Sequence, residues 1–284
     1  MNIKDLREQS FTYCMHGLGA YKGVRQTNTR EAFLYWLGQG VQVFELDIGK
    51  TEDNKYVAVA HTVDEKSMRR MEIFNVPKSY TEEWFMQQRL FPLSTEGLSP
   101  VSIDMFIEIM KAYPETVFMI DIFGMFTKEE TGDFLEALNT ALRDSITLKE
   151  RILVEAYNHE MVKKIRERNF EVIYCARHEY SPRVINTEKE IHFLRENDVS
   201  FVSYPWFYTN NNPEEIGDYI SNDMIVFSRT KYNLNSHKLK RMGVKVNIVA
   251  YKFDGMMAPI QMIRYFSYCV KRLIVKKRYL RSAV

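Results

Sequence analysis

Apolar segments rich in β-branched and aromatic residues recur along the chain, and most are followed by a segment with helical spacing. Eight such runs lie at 11–16, 41–48, 116–122, 151–156, 170–176, 199–204, 223–228 and 244–251. Continuous apolar runs that alternate with helices are typical of a parallel sheet that is covered on its outer face. Eight such units close into a barrel, so the pattern predicts a single (β/α)8 TIM-barrel domain over residues 1–284.

The segments between these runs carry the signals of helix starts. TNTREAFLYWLGQG offers Thr27 or Asn28 as its N-cap, and SPVSIDMFIEIMKAY places Pro100 near the first turn. Six later segments read the same way: TKEETGDFLEALNTAL, NHEMVKKIRERN, TEKEIHFLREN, PEEIGDYI, NSHKLKRMG and APIQMIRYFSYCVKRL.

One connection is much longer than the others. About 50 residues separate the second predicted strand from the second helix, and they include the apolar run YVAVAH and a polar, aromatic stretch from Thr62 to Leu98. Loops of this length in a compact domain are usually functional. We predict an insertion at about residues 52–98 that lies over the mouth of the barrel.

Charge and cysteine content narrow the class of protein. The 39 basic and 37 acidic residues give a net charge of +2, so no nucleic-acid partner is expected. Cys14, Cys175 and Cys269 are odd in number and far apart, which argues against a disulfide framework. The first residues lack the apolar run of a signal peptide, and no window approaches the ~18 apolar residues of a membrane span. A cytoplasmic protein is therefore expected.

The segment KRLIVKKRYLR, Lys271 to Arg281, departs from this charge balance because basic residues flank short apolar groups. One interpretation is a final helix whose cations complement its carboxyl-terminal dipole. The other is a weak contact with an anionic membrane surface or with a partner.

Five side chains that bind metals or transfer protons fall at the ends of predicted strands. His16 ends the first strand, Glu45 and Asp47 end the second, Asp121 ends the third, and His61 ends the extra run within the insertion. Side chains two apart on a strand project from the same face, so Glu45 and Asp47 would repel each other unless a positive charge lies between them. Active sites of TIM barrels form where the strands end. The pattern favours a metal ion at the mouth.

The same residues carry a resemblance to a known family. HGLGAYKGVRQTNTREAF, followed by GVQVFELDIGKTEDNKYVAVAH, resembles the opening of the glycerophosphodiester phosphodiesterases, whose pattern is a His and Gly-containing turn, an N-T-x-x-A-F helix start, E-x-D, T-x-D and a second His. RMGVKVNIVAY is similar to the last-strand pattern of that family, although Val249 and Ala250 replace its Trp and Thr. The family folds as a (β/α)8 barrel with a small insertion after the second strand.

The resemblance implies roles for these residues. Glu45, Asp47 and Asp121 become ligands of one divalent cation, and His16 and His61 become the acid and base pair. Three carboxylates suit a hard ion such as Mg²⁺ or Ca²⁺. Such an ion neutralises a phosphodiester, while histidines exchange protons near neutral pH.

Three departures from the family pattern leave the substrate open. Gly17 stands where an Arg often follows the first His, Phe123 stands where the third-strand motif has Lys, and Thr62 replaces an Asp after the second His. Charged and aromatic residues at other strand ends are candidates for substrate binding. These are Arg25, Glu155, Tyr157, Arg177, Tyr204, Trp206, Tyr251 and Lys252. The alternatives are that the cations are solvated loop charges and that the other residues pack the barrel rim.

The first hypothesis is a metal-dependent phosphodiesterase that acts on a glycerophosphodiester or a related polyol or lipid-head-group phosphodiester. Its partner would be a small-molecule or lipid-derived substrate. The alternative is a catalytically weak or inactive barrel that binds a phosphate ligand. The retention of both histidines and all three carboxylates favours the enzyme.

Overall fold

A computed structural model of the chain describes residues 1–60, 63–125, 127–143, 145–177, 186–205, 209 and 211–252, together with residues 262–263, 266–267, 269–270 and 273–274. The side chains of Lys128 and Lys231 are not described. Two predicted site residues, His61 and Trp206, lie outside the described residues.

Nine strands form one sheet in the described part of the chain. They are β1 (Thr12–Met15), β2 (Val43–Lys50), β3 (Tyr56–Ala58), β4 (Val117–Asp121), β5 (Ile152–Ala156), β6 (Glu171–Cys175), β7 (Phe201–Pro205), β8 (Ile225–Tyr232) and β9 (Val246–Tyr251). All eight predicted barrel strands are present. The strand β8 runs to Tyr232, four residues past its predicted end.

The sheet closes on itself as a parallel barrel. Neighbouring strands follow the order β1-β9-β8-β7-β6-β5-β4-β2, and β1 pairs in parallel with β2 through Cys14 and Val43 to complete the ring. Only β3 is antiparallel, and it forms a hairpin with β2. The predicted (β/α)8 TIM barrel is therefore confirmed.

Helices and short helical turns connect the strands. The α-helices span Asp5–Glu8, Arg30–Gly38, Glu65–Arg70, Glu82–Met86, Pro92–Thr95, Ile103–Ala112, Lys128–Leu142, Ile146–Lys149, His159–Glu167, Thr187–Glu196, Pro213–Ser221 and Ser236–Arg241, and 3-10 turns span His16–Leu18 and Asn233–Asn235. The first long helix begins after Thr29, so neither Thr27 nor Asn28 is its N-cap residue as predicted. None of the described helices is long and apolar enough to cross a membrane.

Two apolar layers hold the barrel together. The lower interior is filled by alternate strand residues such as Cys14, Val43 and Met119, and Ile3 and Leu6 join this cluster from the amino-terminal segment. The remaining strand residues form a larger cluster with the outer helices. Because alternate residues point inward, the upper interior positions are the ones left for polar side chains.

The predicted insertion, residues 52–98, has an apolar cluster of its own. Val57, Met68, Phe85 and Leu90 belong to this cluster, and Val24 joins it from the loop that follows β1. Because Val24 lies beyond the carboxyl end of β1, these contacts attach the insertion to the mouth end of the barrel.

Candidate active site

Four carboxylates lie in the upper interior of the barrel. Glu45 and Asp47 are on β2, Asp121 ends β4, and Glu155 is on β5; each is at most 2% exposed. Asp47 is paired in register with Asp121, so the two side chains project into the same layer. Such crowding of buried acids is costly unless positive charge or protons compensate it.

Glu45 has one carboxylate oxygen that makes a hydrogen bond and one that makes none in the described structure. Its Oε2 atom accepts a hydrogen bond from the Gly17 amide, but Oε1 has no hydrogen-bond partner among the residues that the structure describes. Burial, together with the charges of Asp47 and Asp121, raises the pKa of Glu45 well above its ordinary value. An unpartnered, buried carboxylate oxygen is the feature expected of a ligand atom.

His16 faces this oxygen from the 3-10 turn after β1. Its Nε2 atom lies 3.6 Å from Glu45 Oε1 and 2.8 Å from the side-chain nitrogen of Gln26. Ligand atoms of His16, Glu45 and Asp47 all lie within 4.8 Å of one another. Oxygen ligands of Ca²⁺ lie about 2.3–2.6 Å from the ion, so atoms on opposite sides of it are about 5 Å apart. The group therefore has the donor types and the spacing for a divalent cation.

Asp47 is oriented by Asn28. The Asn28 side-chain nitrogen donates to Asp47 Oδ2 at 2.7 Å, and the Asp47 amide donates to Asn28 Oδ1 at 3.1 Å. Asn28 has a φ of 51°, a left-handed conformation that Asn tolerates better than most residues. The residue predicted as a possible helix cap instead fixes a carboxylate of the site.

Asp121 belongs to a second group of polar side chains. Its Oδ1 atom accepts hydrogen bonds from the Phe123 amide at 2.8 Å and from the Tyr157 hydroxyl at 2.7 Å. The same hydroxyl lies 2.8 Å from Glu155 Oε2, yet it has one proton to donate. Burial and the charge of Glu155 raise the pKa of Asp121 well above its ordinary value.

Arg229 is the cation of this second group, and sequence reasoning missed it. Its guanidinium donates to Glu155 Oε2 and lies 3.8 Å from Asp121 Oδ2. Desolvation lowers the pKa of Arg229, but Glu155 and its neighbours outweigh that effect and the net shift is upward. Its Nε atom is buried without a hydrogen-bond partner in the described residues. The signal was available, because Ile225, Phe227 and Arg229 alternate inward along β8.

The three cations predicted from the sequence have the following neighbours in the structure. Arg177 pairs with Glu215 of the helix Pro213–Ser221 at 2.9 Å, and Lys252 lies over the ring of Tyr13. Arg25 lines a cavity of about 140 Å³ between the β1 loop and the insertion.

The aromatic residues also separate. Tyr204 is buried and packs edge-on against Tyr219 of the helix Pro213–Ser221, so it lies between the barrel and its outer helices. This corrects the prediction that Tyr204 lines a substrate pocket. Tyr251 packs edge-on against Trp36 at the rim. Glu155, by contrast, lies inside the barrel as expected for a site residue.

Two departures from the family pattern have structural explanations. Gly17 has a φ of 56°, and a Cβ atom there would lie 2.7 Å from Gln26 Cα, so an Arg does not fit this turn. Phe123 packs edge-on against Tyr157, with ring centroids 5.4 Å apart. A Lys at position 123 would lose that contact, while Arg229 already supplies a cation from β8.

No protein-family model matches the chain, and a search of curated proteins finds no match. Solved structures do match. A glycerophosphodiester phosphodiesterase from Parabacteroides distasonis has a TM-score of 0.65 at 15% identity, covering 91% of this chain and 98% of that one. One from Thermotoga maritima has a TM-score of 0.60 at 14% identity, with coverage of 89% and 98%.

A phosphodiesterase from Oleispira antarctica, solved in complex with its product sn-glycerol-3-phosphate, has a TM-score of 0.66 at 12% identity, with coverage of 90% and 96%. The resemblance predicted from the sequence motifs is thus confirmed at the level of the fold. At these identities the likeness establishes the shared barrel, and the chemistry must be argued from the residues of this chain.

Proposed function

We propose that the protein is a metal-dependent phosphodiesterase that hydrolyses a glycerophosphodiester or a related polyol or lipid-head-group phosphodiester. The observation that carries the proposal is the buried Glu45 Oε1 atom, which has no hydrogen-bond partner in the described residues and faces His16 beside Asp47. The site lies where the barrel strands end, which is where barrels of this class catalyse reactions.

Glu45 and Asp47 would hold one divalent cation, Mg²⁺ or Ca²⁺, because carboxylate oxygens are the preferred ligands of hard ions. Asp121 is the third ligand expected from the resemblance, whereas the geometry brings His16 closer to the pair. When bound, the ion would supply positive charge to a non-bridging phosphate oxygen and to the transition state.

Proton transfer would fall to His16 and His61. His16 is 19% exposed and lies beside the carboxylates, so it can reach both solvent and a bound substrate. One histidine would take the proton of the attacking hydroxyl, and the other would give a proton to the departing alcohol oxygen. The role of His61 is predicted from its sequence position alone.

Arg229 would complete the charge balance of the phosphate site. Its contacts with Glu155 and Asp121 neutralise acids that would otherwise repel a phosphodiester anion. This arrangement supports an active enzyme more than an inactive relative, because a cation is present although Gly17 and Phe123 provide none.

The choice of a glycerophosphodiester follows the resemblance and the Oleispira antarctica structure, whose product is sn-glycerol-3-phosphate. The test is hydrolysis of glycerophosphocholine and glycerophosphoglycerol with Mg²⁺, Ca²⁺ or Mn²⁺ and after chelation. Turnover that needs metal, and that falls at least about 100-fold in Glu45→Gln but not in the exposed control Glu108→Gln, supports the proposal. Phosphodiester binding without turnover under any metal would favour a binding protein instead.

A further inference from the structure

The described residues near the end of the chain expose an unusual amount of apolar surface. Residues 262–263, 266–267, 269–270 and 273–274 are helical. Five large apolar side chains in them are exposed, namely Ile263 (70%), Phe266 (46%), Val270 (56%), Leu273 (69%) and Ile274 (48%). At the helical spacing of 100° per residue, these five sequence positions fall within an arc of about 100°, the width of one amphipathic face. We refer to them as the apolar stripe.

Two other residues in this part of the chain contact the mouth end of the barrel. Met262 and Cys269 pack against Ala20, and the Cys269 thiol donates to the Gly23 carbonyl at 3.5 Å. Tyr232, the last residue of β8, joins the same cluster. Because Ala20 and Gly23 follow β1, the stretch lies at the end of the barrel that holds the carboxylates. The apolar stripe therefore faces outward beside the candidate active site.

Charge is distributed very unevenly between this region and the rest of the chain. Residues 255–284 contain seven basic and no acidic residues, so the first 254 residues carry a net charge of −5 although the whole chain carries +2. An apolar face with flanking Lys and Arg is the composition of helices that lie in the surface of an anionic bilayer. An acidic protein surface would attract the cations but would leave large aliphatic side chains in water.

We propose that the apolar stripe and its flanking cations bind the surface of an anionic lipid bilayer, with the mouth of the barrel facing the lipid. The aliphatic and aromatic side chains enter the boundary between head groups and acyl chains, and the basic side chains extend toward the head groups. The proposal does not depend on the proposed catalytic activity. Its orientation would give the candidate site direct access to lipid-derived phosphodiesters.

The test is co-sedimentation of the full chain with vesicles of phosphatidylcholine alone or with ~30% phosphatidylglycerol. Two multiple variants separate the apolar and the charged features. The double variant Ile263→Ser, Leu273→Ser alters the stripe. The triple variant Lys276→Gln, Lys277→Gln, Arg278→Gln removes positive charge. Ile146→Ser is the matched control, since Ile146 is 72% exposed but precedes β5 at the opposite end of the barrel.

We expect at least about tenfold stronger binding to the anionic vesicles, weakened by high salt and by each multiple variant but not by Ile146→Ser. Unchanged thermal unfolding would show that the variants fold. Equal binding by the stripe variant and the wild type, or no binding to anionic vesicles, overturns the proposal. Sedimentation velocity tests whether a second copy of the chain occupies the stripe instead. If the wild type forms a dimer that dissociates in the stripe variant, and no vesicle binding is seen, the stripe would be assigned to that second copy.

Discussion

At the scale of single residues, charge compensation controls the candidate site. Four buried carboxylates share the upper interior with one guanidinium, which pairs with Glu155, whereas Glu45 Oε1 has no hydrogen-bond partner in the described residues. The Arg229 pair with Glu155 and the Glu45 oxygen that faces His16 are therefore different kinds of site. The first is complete within the protein, and the second is suited to a ligand from outside.

The pair of Arg229 and Glu155 gives the first prediction. Removing one partner leaves the other charge buried, so Arg229→Leu should lower the free energy of unfolding by about 3–5 kcal/mol. Adding Glu155→Gln should recover part of that loss, because the amide keeps the hydrogen bond to Ser203 without the charge. Urea unfolding of the metal-free proteins measures this. Arg69→Leu, which breaks an exposed pair with Glu65, should cost no more than about 1 kcal/mol. Strictly additive losses in the double variant would contradict the account.

The histidines give the second prediction. His16→Ala and His61→Ala should each lower turnover of a phosphodiester at least about 100-fold with little change in melting temperature, the usual scale for loss of an acid or base. His192→Ala is the matched control, since His192 is exposed and pairs only with Glu196 among the described contacts. Metal affinity separates the two roles of His16: unchanged affinity indicates proton transfer, and a large loss indicates a ligand. Full activity with lower stability would show that the histidines are structural.

The sequence predicted the carboxylates of the site better than their cation. Glu45 and Asp47 are two apart at the end of an obvious strand, so their shared face follows from β geometry alone. Arg229 directly follows the predicted run, which ends at residue 228, so the inward alternation of that run does not reach it in the sequence pattern. The role of Asn28 beside Asp47 was also missed. Asn is a favoured helix N-cap residue, so the sequence suggested a cap, whereas the left-handed turn that Asn28 adopts depends on tertiary contacts.

At the scale of elements, the turn after β1 connects the fold to the site. Gly17 is left-handed, its amide donates to Glu45, and a side chain there would collide with the Gln26 backbone. We predict that Gly17→Ala lowers the free energy of unfolding by at least about 1–2 kcal/mol, the cost of left-handed backbone in an L-residue. It should also weaken metal binding, since Glu45 loses its oriented donor.

Gly38→Ala is the control for this prediction, because Gly38 ends a helix, has no positive φ and has open space around its Cβ position. It should be neutral or slightly stabilising. Thermal unfolding and calorimetric titration of both variants measure the two effects. Equal stability and equal metal affinity of Gly17→Ala and the wild type would contradict the role given to this turn.

The eight barrel strands were predictable because both faces of each strand are covered, so each reads as one apolar run. The same property hides which residues point inward. Alternation becomes visible only where polar residues enter the interior, as at Glu45 and Asp47. The correction at Tyr204 follows from this: its strand carries Ser203 inward to Glu155, which turns Tyr204 toward the outer helices.

At the scale of the whole molecule, three features meet at one end of the barrel. The polar interior, the attachment of the insertion and the apolar stripe all lie where the strands end. Under the proposed function, the substrate would be held at the mouth with its phosphodiester over the carboxylates.

This placement predicts a cyclic phosphate during turnover. A glycerophosphodiester holds a neighbouring hydroxyl near phosphorus, and its pre-oriented attack is much easier than attack by free water. One histidine accepts the hydroxyl proton as the new P–O bond forms, the other protonates the leaving alcohol, and water then opens the ring with the roles reversed. Phosphorus NMR should detect the cyclic species. A substrate without that hydroxyl should react at least about 100-fold more slowly, whereas equal rates and no cyclic species would indicate direct attack by water.

The central claim is that Glu45 and its neighbours form a divalent-cation site, and calorimetric titration tests it most directly. Metal-free protein is titrated with Mg²⁺, Ca²⁺ and Mn²⁺, in parallel with Glu45→Gln and the exposed control Glu108→Gln. The account predicts one site in the wild type and in Glu108→Gln, and its loss in Glu45→Gln, because an amide cannot replace the charge of the buried carboxylate. No binding of any of these ions to folded wild-type protein, or equal binding to Glu45→Gln, would contradict it.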